Sequence, residues 1–133
     1  MSALAGIYNF DGATVDENQL RALGRTLIPR GPDGGSQVIS SSAGMAYRAF
    51  HTNRESRNSQ QPLVSNHSVL AWDGRLDNRE DLLTQVRDLL HEMPTSIADA
   101  SIVMAAYNKW GIEFLAQLIG DFALSLFDPL SRT

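Results

Sequence analysis

Short apolar stretches alternate with polar ones along this chain, and their lengths predict a mixture of strands and helices. Strand-like runs rich in apolar residues are predicted at 4–10, 36–40, 43–50, 68–72 and 122–127. The last run is apolar at nearly every position, which predicts a strand buried on both faces. The dipeptides Asp11-Gly12 and Asp73-Gly74 carry turn-forming residues, so we predict that they end the first and the fourth of these strands.

Three helices are predicted from apolar residues that recur at helical spacing. Thr14 is the predicted cap of the first helix because Glu17 follows it by three residues, and Pro29 would end that helix. Asn78 is the predicted cap of the second helix, and the third begins near Asp99. The apolar faces comprise Leu20, Leu23 and Leu27 in the first helix, Leu82, Leu83, Val86, Leu89 and Leu90 in the second, and Ile102, Val103, Ala106, Tyr107 and Trp110 in the third.

Two short connections complete this prediction. The runs 36–40 and 43–50 are separated only by Ser41-Ser42, which predicts a hairpin with its bend at these serines. Residues 51–61 are almost wholly polar, and a segment of this composition is predicted to be a surface loop.

Composition narrows the class of protein. With 133 residues, of which 43% are apolar and 20% charged, the chain is long enough for one domain with its own core. Its 11 basic and 15 acidic residues are interspersed and give a net charge of −4, so no nucleic-acid-binding face is indicated. No apolar run reaches the ~20 residues of a membrane span, and the first residues are unlike a signal peptide. A cytoplasmic location is therefore predicted.

Two residue types limit the chemistry. Cysteine is absent, which excludes disulfides, thiolate metal sites and thiol catalysis. The three histidines, His51, His67 and His91, share no metal-ligand spacing. Asp77 and Asp81 are explained as residues at a helix start, so no metal site is predicted.

A glycine-rich loop, Arg30-Gly31-Pro32-Asp33-Gly34-Gly35, follows the first predicted helix and suits a rigid turn with a charged tip. Together with five other motifs in the same order, it resembles the amidotransferase domain of class II glutamine-dependent enzymes. The likeness is to asparagine synthetase and its β-lactam and lasso-peptide synthetase relatives, and it covers residues 1–133. The other motifs are Ala5-Gly6-Ile7-Tyr8, Gln61-Pro62-Leu63 with Trp72-Asp73-Gly74, Ala98-Asp99-Ala100, and Gly120-Asp121-Phe122-Ala123 leading to Asp128-Pro129.

The resemblance implies a fold. Members of this family are α+β proteins, built as the four-layer αββα sandwich of antiparallel sheets of N-terminal-nucleophile hydrolases. Residues 1–133 would form one glutamine amidotransferase type 2-like domain that is incomplete at its C-terminus. The family continues there into a further strand, so strand 122–127 is expected to expose an edge and to pair with another copy in a homodimer. The Ser-Gly-Gly-x-Asp-Ser loop of the synthetase domain is absent from the sequence.

The resemblance also implies where the reactive groups would lie. The family nucleophile is a cysteine next to the initiator Met, with its freed α-amine as the base, and this position is Ser2. The family oxyanion hole is formed by an Asn side chain and the following Gly N–H, and the matching pair is Asp73-Gly74. An ionised Asp has no hydrogen to donate, so both positions depart from the pattern.

Substrate-binding positions are carried over in the same way. The arginine that binds the α-carboxylate of glutamine is replaced by Ala49, and neighbouring Arg48 could substitute only through a one-residue slip of its strand. Asp99, which would bind the α-ammonium, is retained, although an Asp at a helix start is more often a cap. Arg30 and Asp33 match the family loop, where the resemblance implies a structural role.

These departures predict a degenerate glutaminase domain that acts as a scaffold for an ATP-dependent amide-forming ligase. Two alternatives stay open: an active serine-type N-terminal-nucleophile amidohydrolase, and a glutamine- or ammonia-dependent asparagine synthetase. No cofactor is expected in this domain, and ATP and Mg²⁺ are expected only in the missing synthetase domain. The expected partners are that domain, a small-molecule amide or none, and a second copy of the chain; neither nucleic acid nor a membrane is expected.

Overall fold

Two antiparallel three-stranded sheets form the centre of the fold. The computed structural model describes residues 1–52, 54–90 and 97–131. Its strands are β1 (Ala3–Tyr8), β2 (Gly35–Ser40), β3 (Ala43–Arg48), β4 (Leu63–Ser65), β5 (Ser68–Leu76) and β6 (Gly120–Phe127). Sheet A has the order β1-β3-β2 and sheet B the order β4-β5-β6. The predicted hairpin with its bend at Ser41-Ser42 is confirmed, since β2 and β3 pair from Ser40 and Ala43 outward.

Helices cover the outer faces of both sheets. They are α1 (Glu17–Thr26), α2 (Arg79–Val86) and α3 (Asp99–Trp110), with 3₁₀ segments at Glu55–Asn58, Arg87–Leu89 and Gly111–Gln117. Helix α1 packs on sheet A, α3 packs on sheet B with α2 beside it, and β1 and β3 face β5 between the sheets. The layers therefore run helix, sheet, sheet, helix, which confirms the predicted α+β four-layer αββα sandwich.

Each pair of layers encloses its own apolar cluster. Between the sheets lie Met45, Tyr47, Ala49, Val69 and Ala71. Between α1 and sheet A lie Val15, Leu20 and Ala46. The largest cluster lies between sheet B and the other helices and includes the fully buried Leu70, Leu82, Val86, Ile102, Val103 and Phe114. The polar ends of β3 and β5 are thereby held at the rim of the inter-sheet layer, where the site lies.

The Asp73-Gly74 dipeptide is not a turn. Strand β5 continues through it to Leu76, and β6 pairs with it from Gly120 to Phe127. Gly74 is needed for close approach, because a Cβ at this position would lie 2.5 Å from Cβ of Phe122. The turn prediction was wrong because a tertiary contact, rather than a bend, explains the glycine.

Strand β6 is also more exposed than its composition predicted. None of its residues is fully buried, and the prediction of burial on both faces was wrong. The reason is its position at the edge of sheet B, where within the described residues it pairs with β5 alone. Phe122 is 37% exposed and stacks on Trp72 with 4.9 Å between the ring centroids. Pairing of this edge with a second copy stays a prediction.

Two helix caps differ from their predictions. Asp16, not Thr14, caps α1, since its Oδ1 accepts a hydrogen bond from Asn18 N at 2.7 Å. Asn78 precedes α2, but its side chain bonds instead to Gln117 O at 2.8 Å and Ile119 N at 3.0 Å. It therefore ties the start of α2 to the segment before β6. The prediction that Leu89 belongs to the apolar face of the second helix was also wrong, because Leu89 is 45% exposed.

The cap assignment can be tested on stability. We expect Asp16→Ala to lower the free energy of unfolding by about 1 kcal/mol, the usual effect of losing an N-cap acceptor. Thr14→Ala is the matched control and should change it by less than about 0.5 kcal/mol, as is usual away from such features. Urea unfolding of the three proteins measures both values, and equal losses in the two variants would contradict the assignment.

Candidate functional site

A small cleft opens where the amino terminus meets the ends of β3 and β5 and the start of α3. Four of the residues predicted from the sequence lie on its lining: Ser2, Asp73, Gly74 and Asp99. Two aromatic residues, Tyr47 and Phe50, complete the lining near Ser2. The volume of the cleft is about 50 Å³, far below the roughly 300–1,000 Å³ of typical small-molecule sites.

The Ser2 hydroxyl is surrounded mainly by hydrogen-bond donors. Its Oγ accepts from the Tyr47 hydroxyl at 2.9 Å and from Phe50 N at 3.1 Å. Its own proton faces Phe50 O at 3.5 Å, a long hydrogen bond to a weakly basic carbonyl. Burial raises the pKa of Tyr47 above its ordinary value, against the hydrogen bond to Ser2, so the phenol stays protonated at neutral pH. These contacts hold Ser2 in place without offering it a base.

Asp73 contacts the nitrogen of the same residue. Its Oδ1 accepts a hydrogen bond from Ser2 N at 2.9 Å, in a half-buried environment. A carboxylate cannot donate a hydrogen bond to a developing oxyanion, and its charge opposes such an anion. The structure therefore uses Asp73 to bind the amino-terminal segment.

Asp99 is brought to the cleft but is already paired. Its Oδ1 accepts from Arg79 Nε at 3.0 Å, and its Oδ2 accepts from Leu76 N at 3.4 Å. Burial raises the pKa of Asp99 above its ordinary value, and the charge of Arg79 opposes this rise. The side chain makes no capping hydrogen bond to α3. The cap interpretation is wrong, and Asp99 instead joins α3 to α2 through Arg79.

Arg48 does not enter the cleft. Strand β3 keeps its register, with Arg48 opposite Ala3 on one side and Gly35 on the other, so the one-residue slip is absent. Tyr47 and Ala49 are buried between the sheets, whereas Arg48 Nε points to Gly24 O of α1 at 3.4 Å. The suggestion that Arg48 replaces the carboxylate-binding arginine is therefore wrong.

A second cavity lies beside the cleft at Ala49. Its volume is about 250 Å³, and it shares Tyr47, Ser59 and Gln61 with the cleft. Neither cavity has a Lys or Arg on the lining formed by described residues. Ala49 lies on the lining of this second cavity, so we expect a longer side chain at position 49 to extend into it.

The glycine-rich loop supports the end of β3. Asp33 Oδ2 accepts from His51 N at 2.8 Å, and Asp33 N donates to Ala49 O at 3.0 Å. Arg30 is exposed, and its backbone N–H donates to Leu27 O at 3.0 Å. Asp33 thus joins the glycine-rich loop to the end of β3, whereas Arg30 contributes a contact of its backbone within the turn.

Gln61 corrects the description of 51–61 as a surface loop. It is only 8% exposed, and its Oε1 accepts from Trp72 N at 2.6 Å, next to Asp73. The burial of Gln61 was not predicted because the segment around it is polar. Its place in the Gln-Pro-Leu motif was the one feature of the sequence that set it apart. Nε1 of Trp72 is buried without a hydrogen-bond partner in the described part of the chain.

Arg79 was also missed from the sequence. A cation in the first turn of a helix is disfavoured by the helix dipole, and this was the signal for a compensating carboxylate. Tyr47 and Phe50 carried no such signal, because their contacts with Ser2 cross more than 40 residues of chain.

Neither a metal site nor a membrane span is found within the described ranges. No group of three or more His, Cys, Asp or Glu side chains there could hold a metal ion, and His91 lies outside these ranges. None of the helices described is long and apolar enough to cross a membrane.

Comparison with known proteins agrees with this geometry. Residues 1–133 match the family model described as glutamine amidotransferase domain. Over 96% of the chain, the sequence is 27% identical to "Asparagine synthetase [glutamine-hydrolyzing] 2" of Bacillus subtilis and 28% identical to "Asparagine synthetase B [glutamine-hydrolyzing]" of Escherichia coli. The chain spans only 17% and 23% of the lengths of these relatives.

A solved structure supports the same fold. Glutamine phosphoribosylpyrophosphate amidotransferase from Bacillus subtilis, determined with ADP and GMP, superposes with a TM-score of 0.69 at 17% identity. The match covers 96% of this chain and 35% of that one. Since the family model spans every residue, this chain belongs to the glutamine amidotransferase domain family.

Proposed function

We propose that this chain is the glutaminase-like domain of an asparagine-synthetase-like amide-forming ligase, and that it no longer hydrolyses glutamine. One observation carries the proposal: the carboxylate of Asp73, the residue that the resemblance assigns to the oxyanion donor, is bonded to Ser2 N at 2.9 Å. A glutaminase needs a hydrogen-bond donor there, and losing one such donor typically costs about 2.7–4 kcal/mol of transition-state stabilisation.

Three other features agree with this proposal. Ser2 Oγ replaces a thiol and has no side-chain base among its contacts. The α-carboxylate of glutamine would meet Ala49 instead of a guanidinium, in a region whose described lining carries several carboxylates and no Lys or Arg. The α-ammonium would have to compete with Arg79 for Asp99. Activation of the nucleophile, stabilisation of the oxyanion, and binding of the α-carboxylate and α-ammonium of glutamine are thus all weakened.

In this proposal the domain acts as a folded scaffold for its synthetase part. The relatives are named as glutamine-hydrolysing synthetases, and a ligase whose amine comes from the substrate itself has no need of ammonia from glutamine. ATP and Mg²⁺ would then act only in the synthetase part. A β-lactam- or lasso-peptide-type ligase is the parent class that fits this best, and a cytoplasmic location stays a prediction.

Glutamate release from glutamine tests the proposal. The purified chain, with and without Met1 as verified by mass, is expected to release no more glutamate than Ser2→Ala. A glutamine-hydrolysing synthetase assayed in parallel shows that the conditions support turnover. Glutamate release that depends on Ser2 would overturn the proposal.

One observation favours the alternative function, a serine-type amidohydrolase. Ser2 Oγ is held in a fixed position between Tyr47 OH and Phe50 N. A panel of small amides lacking an α-carboxylate separates it from the scaffold. Hydrolysis of one of them that is lost in Ser2→Ala would favour the hydrolase.

A further inference from the structure

The contact between Ser2 and Asp73 joins the two sheets. Ser2 directly precedes β1 of sheet A, and Asp73 lies within β5 of sheet B, 71 residues further along the chain. The hydroxyl of Ser2 is fixed independently by Tyr47 and Phe50. The Ser2 nitrogen is therefore held against a carboxylate by contacts that do not involve Met1.

The residue before Ser2 is open to processing. Met1 is 81% exposed, and serine is small enough to be accepted after a methionine that is removed in cells. Methionine aminopeptidase hydrolyses the Met1–Ser2 peptide bond: water supplies a hydroxyl to the Met1 carbonyl carbon and a hydrogen to the Ser2 nitrogen. Free methionine leaves, and the Ser2 nitrogen becomes an ammonium at neutral pH.

We propose that Met1 removal is a stabilising maturation step, in which the Ser2 ammonium forms an ion pair with Asp73 that links sheet A to sheet B. With Met1 attached, the same 2.9 Å contact is a hydrogen bond from a neutral amide. Charge-assisted hydrogen bonds are about twice as strong as neutral ones. This inference goes beyond the proposed function and does not depend on it.

Most of the other ionisable groups on the lining of the cleft and of the adjoining cavity are carboxylates, which favour the charged form of the Ser2 nitrogen. Glu55 and Asp99 also line the cleft, and Asp99 is paired with Arg79. Tyr47 contributes a neutral phenol, because burial raises its pKa. In the adjoining cavity lie Asp33 and His51, which are joined by a hydrogen bond from the His51 backbone. Carboxylates thus outnumber cations around the amine.

The sign of the pH dependence follows from this setting. An opposite charge within hydrogen-bonding distance raises the pKa of an amine by about one unit or more, above the ordinary ~7.7–8.0 of an α-amine. Stability from the ion pair is therefore fully present below the ordinary pKa of the amine, for as long as the Asp73 carboxylate is ionised. It is lost as pH rises through the raised pKa of the folded protein.

Four proteins test this inference: the chain with and without Met1, and both forms of Asp73→Asn, a variant of the same shape without the charge. Methionine aminopeptidase treatment, checked by mass, produces the shorter forms. At about pH 7 we expect Met1 removal to raise the Tm of the Asp73 protein by about 3 °C, an effect that shrinks above about pH 9. Asp73→Asn should show no such gain. A gain that is equal in both backgrounds, or no gain in either, would overturn the inference.

A second measurement works even if Asp73→Asn folds poorly. The rate of acylation of the Ser2 α-amine, followed against pH by mass spectrometry, gives its pKa in the processed protein. A pKa raised by one unit lowers the acylation rate at about pH 7 by about tenfold relative to an unstructured peptide with the same sequence. A rate equal to that of the peptide would refute the ion pair. Neither readout involves glutamine, so failure here is separate from failure of the proposed function.

Discussion

Restoring three positions together is expected to produce glutamine hydrolysis, an activity that we propose the natural chain lacks. The changes are Ser2→Cys, Asp73→Asn and Ala49→Arg. The amide introduced by Asp73→Asn supplies an oxyanion donor, which is typically worth about 10²–10³ in kcat. The guanidinium introduced by Ala49→Arg would extend into the 250 Å³ cavity beside this position and provide a two-pronged partner for the α-carboxylate. Once Met1 is removed, Ser2→Cys supplies a thiol that is partly ionised at neutral pH.

Steady-state glutamate release from the triple variant and from each single variant measures this effect. Because the three groups act on one reaction, the single variants should stay near background. Ala49→Lys in place of Ala49→Arg is the matched control. It should raise KM more than it lowers kcat, because lysine keeps the positive charge but cannot bind the α-carboxylate through two parallel hydrogen bonds. A folded triple variant with no turnover would show that the small volume of the cleft, rather than these three side chains, prevents catalysis.

Removing the partner of Asp99 should have the largest effect on stability. Arg79 and Asp99 are 23% and 16% exposed, so their ion pair is largely shielded from water. Arg79→Met leaves the carboxylate without its cation and also removes the contact with Ile97 O. We expect a loss of about 2–4 kcal/mol in the free energy of unfolding, somewhat below the range for fully buried pairs.

The loss in Arg79→Met should depend on pH. The pKa of Asp99 is already raised above its unfolded value by burial, and removing the cation raises it further. A raised carboxyl pKa means that the folded protein binds more protons than the unfolded one, so stability falls as pH rises through this window. Urea unfolding at about pH 4 should therefore show a smaller difference from the natural chain than at about pH 7.

A compensating variant separates charge from packing. Arg79→Met combined with Asp99→Asn no longer buries an unpaired charge and should recover part of the lost stability at neutral pH. If the double variant is as unstable as Arg79→Met at both pH values, the effect of Arg79 lies in its packing and its contact with Ile97 O, and the electrostatic account is wrong.

Local chemistry made much of the fold predictable. The Ser41-Ser42 hairpin, the buried face containing Leu20 and the start of α3 at Asp99 all depend on residues close together in the chain. The predicted cap failed at Thr14 because Asp16 is an equally good acceptor two residues later. Which of two neighbouring polar residues caps a helix depends on the path of the chain just before that helix.

The site was less predictable because its contacts are long-range. The sequence located Ser2, Asp73 and Asp99, but nothing in it indicated that the first two bind each other, or which carboxylate would pair with Arg79. Asp73-Gly74 has the composition of a turn, and only the nearby Phe122 on β6 explains why it is strand. Residues that were expected to form a turn (Asp73-Gly74) or a helix cap (Asp99) therefore take part in contacts between distant segments instead.

The edge position of β6 has a practical consequence for handling this protein. Along its described length the strand has no proline or basic residue to block the addition of another strand, and its one charge is Asp121. The net charge of −4 gives a repulsion that opposes association of copies. Acidification protonates carboxylates and weakens that repulsion, so concentrated stocks are best kept at neutral or alkaline pH and low salt.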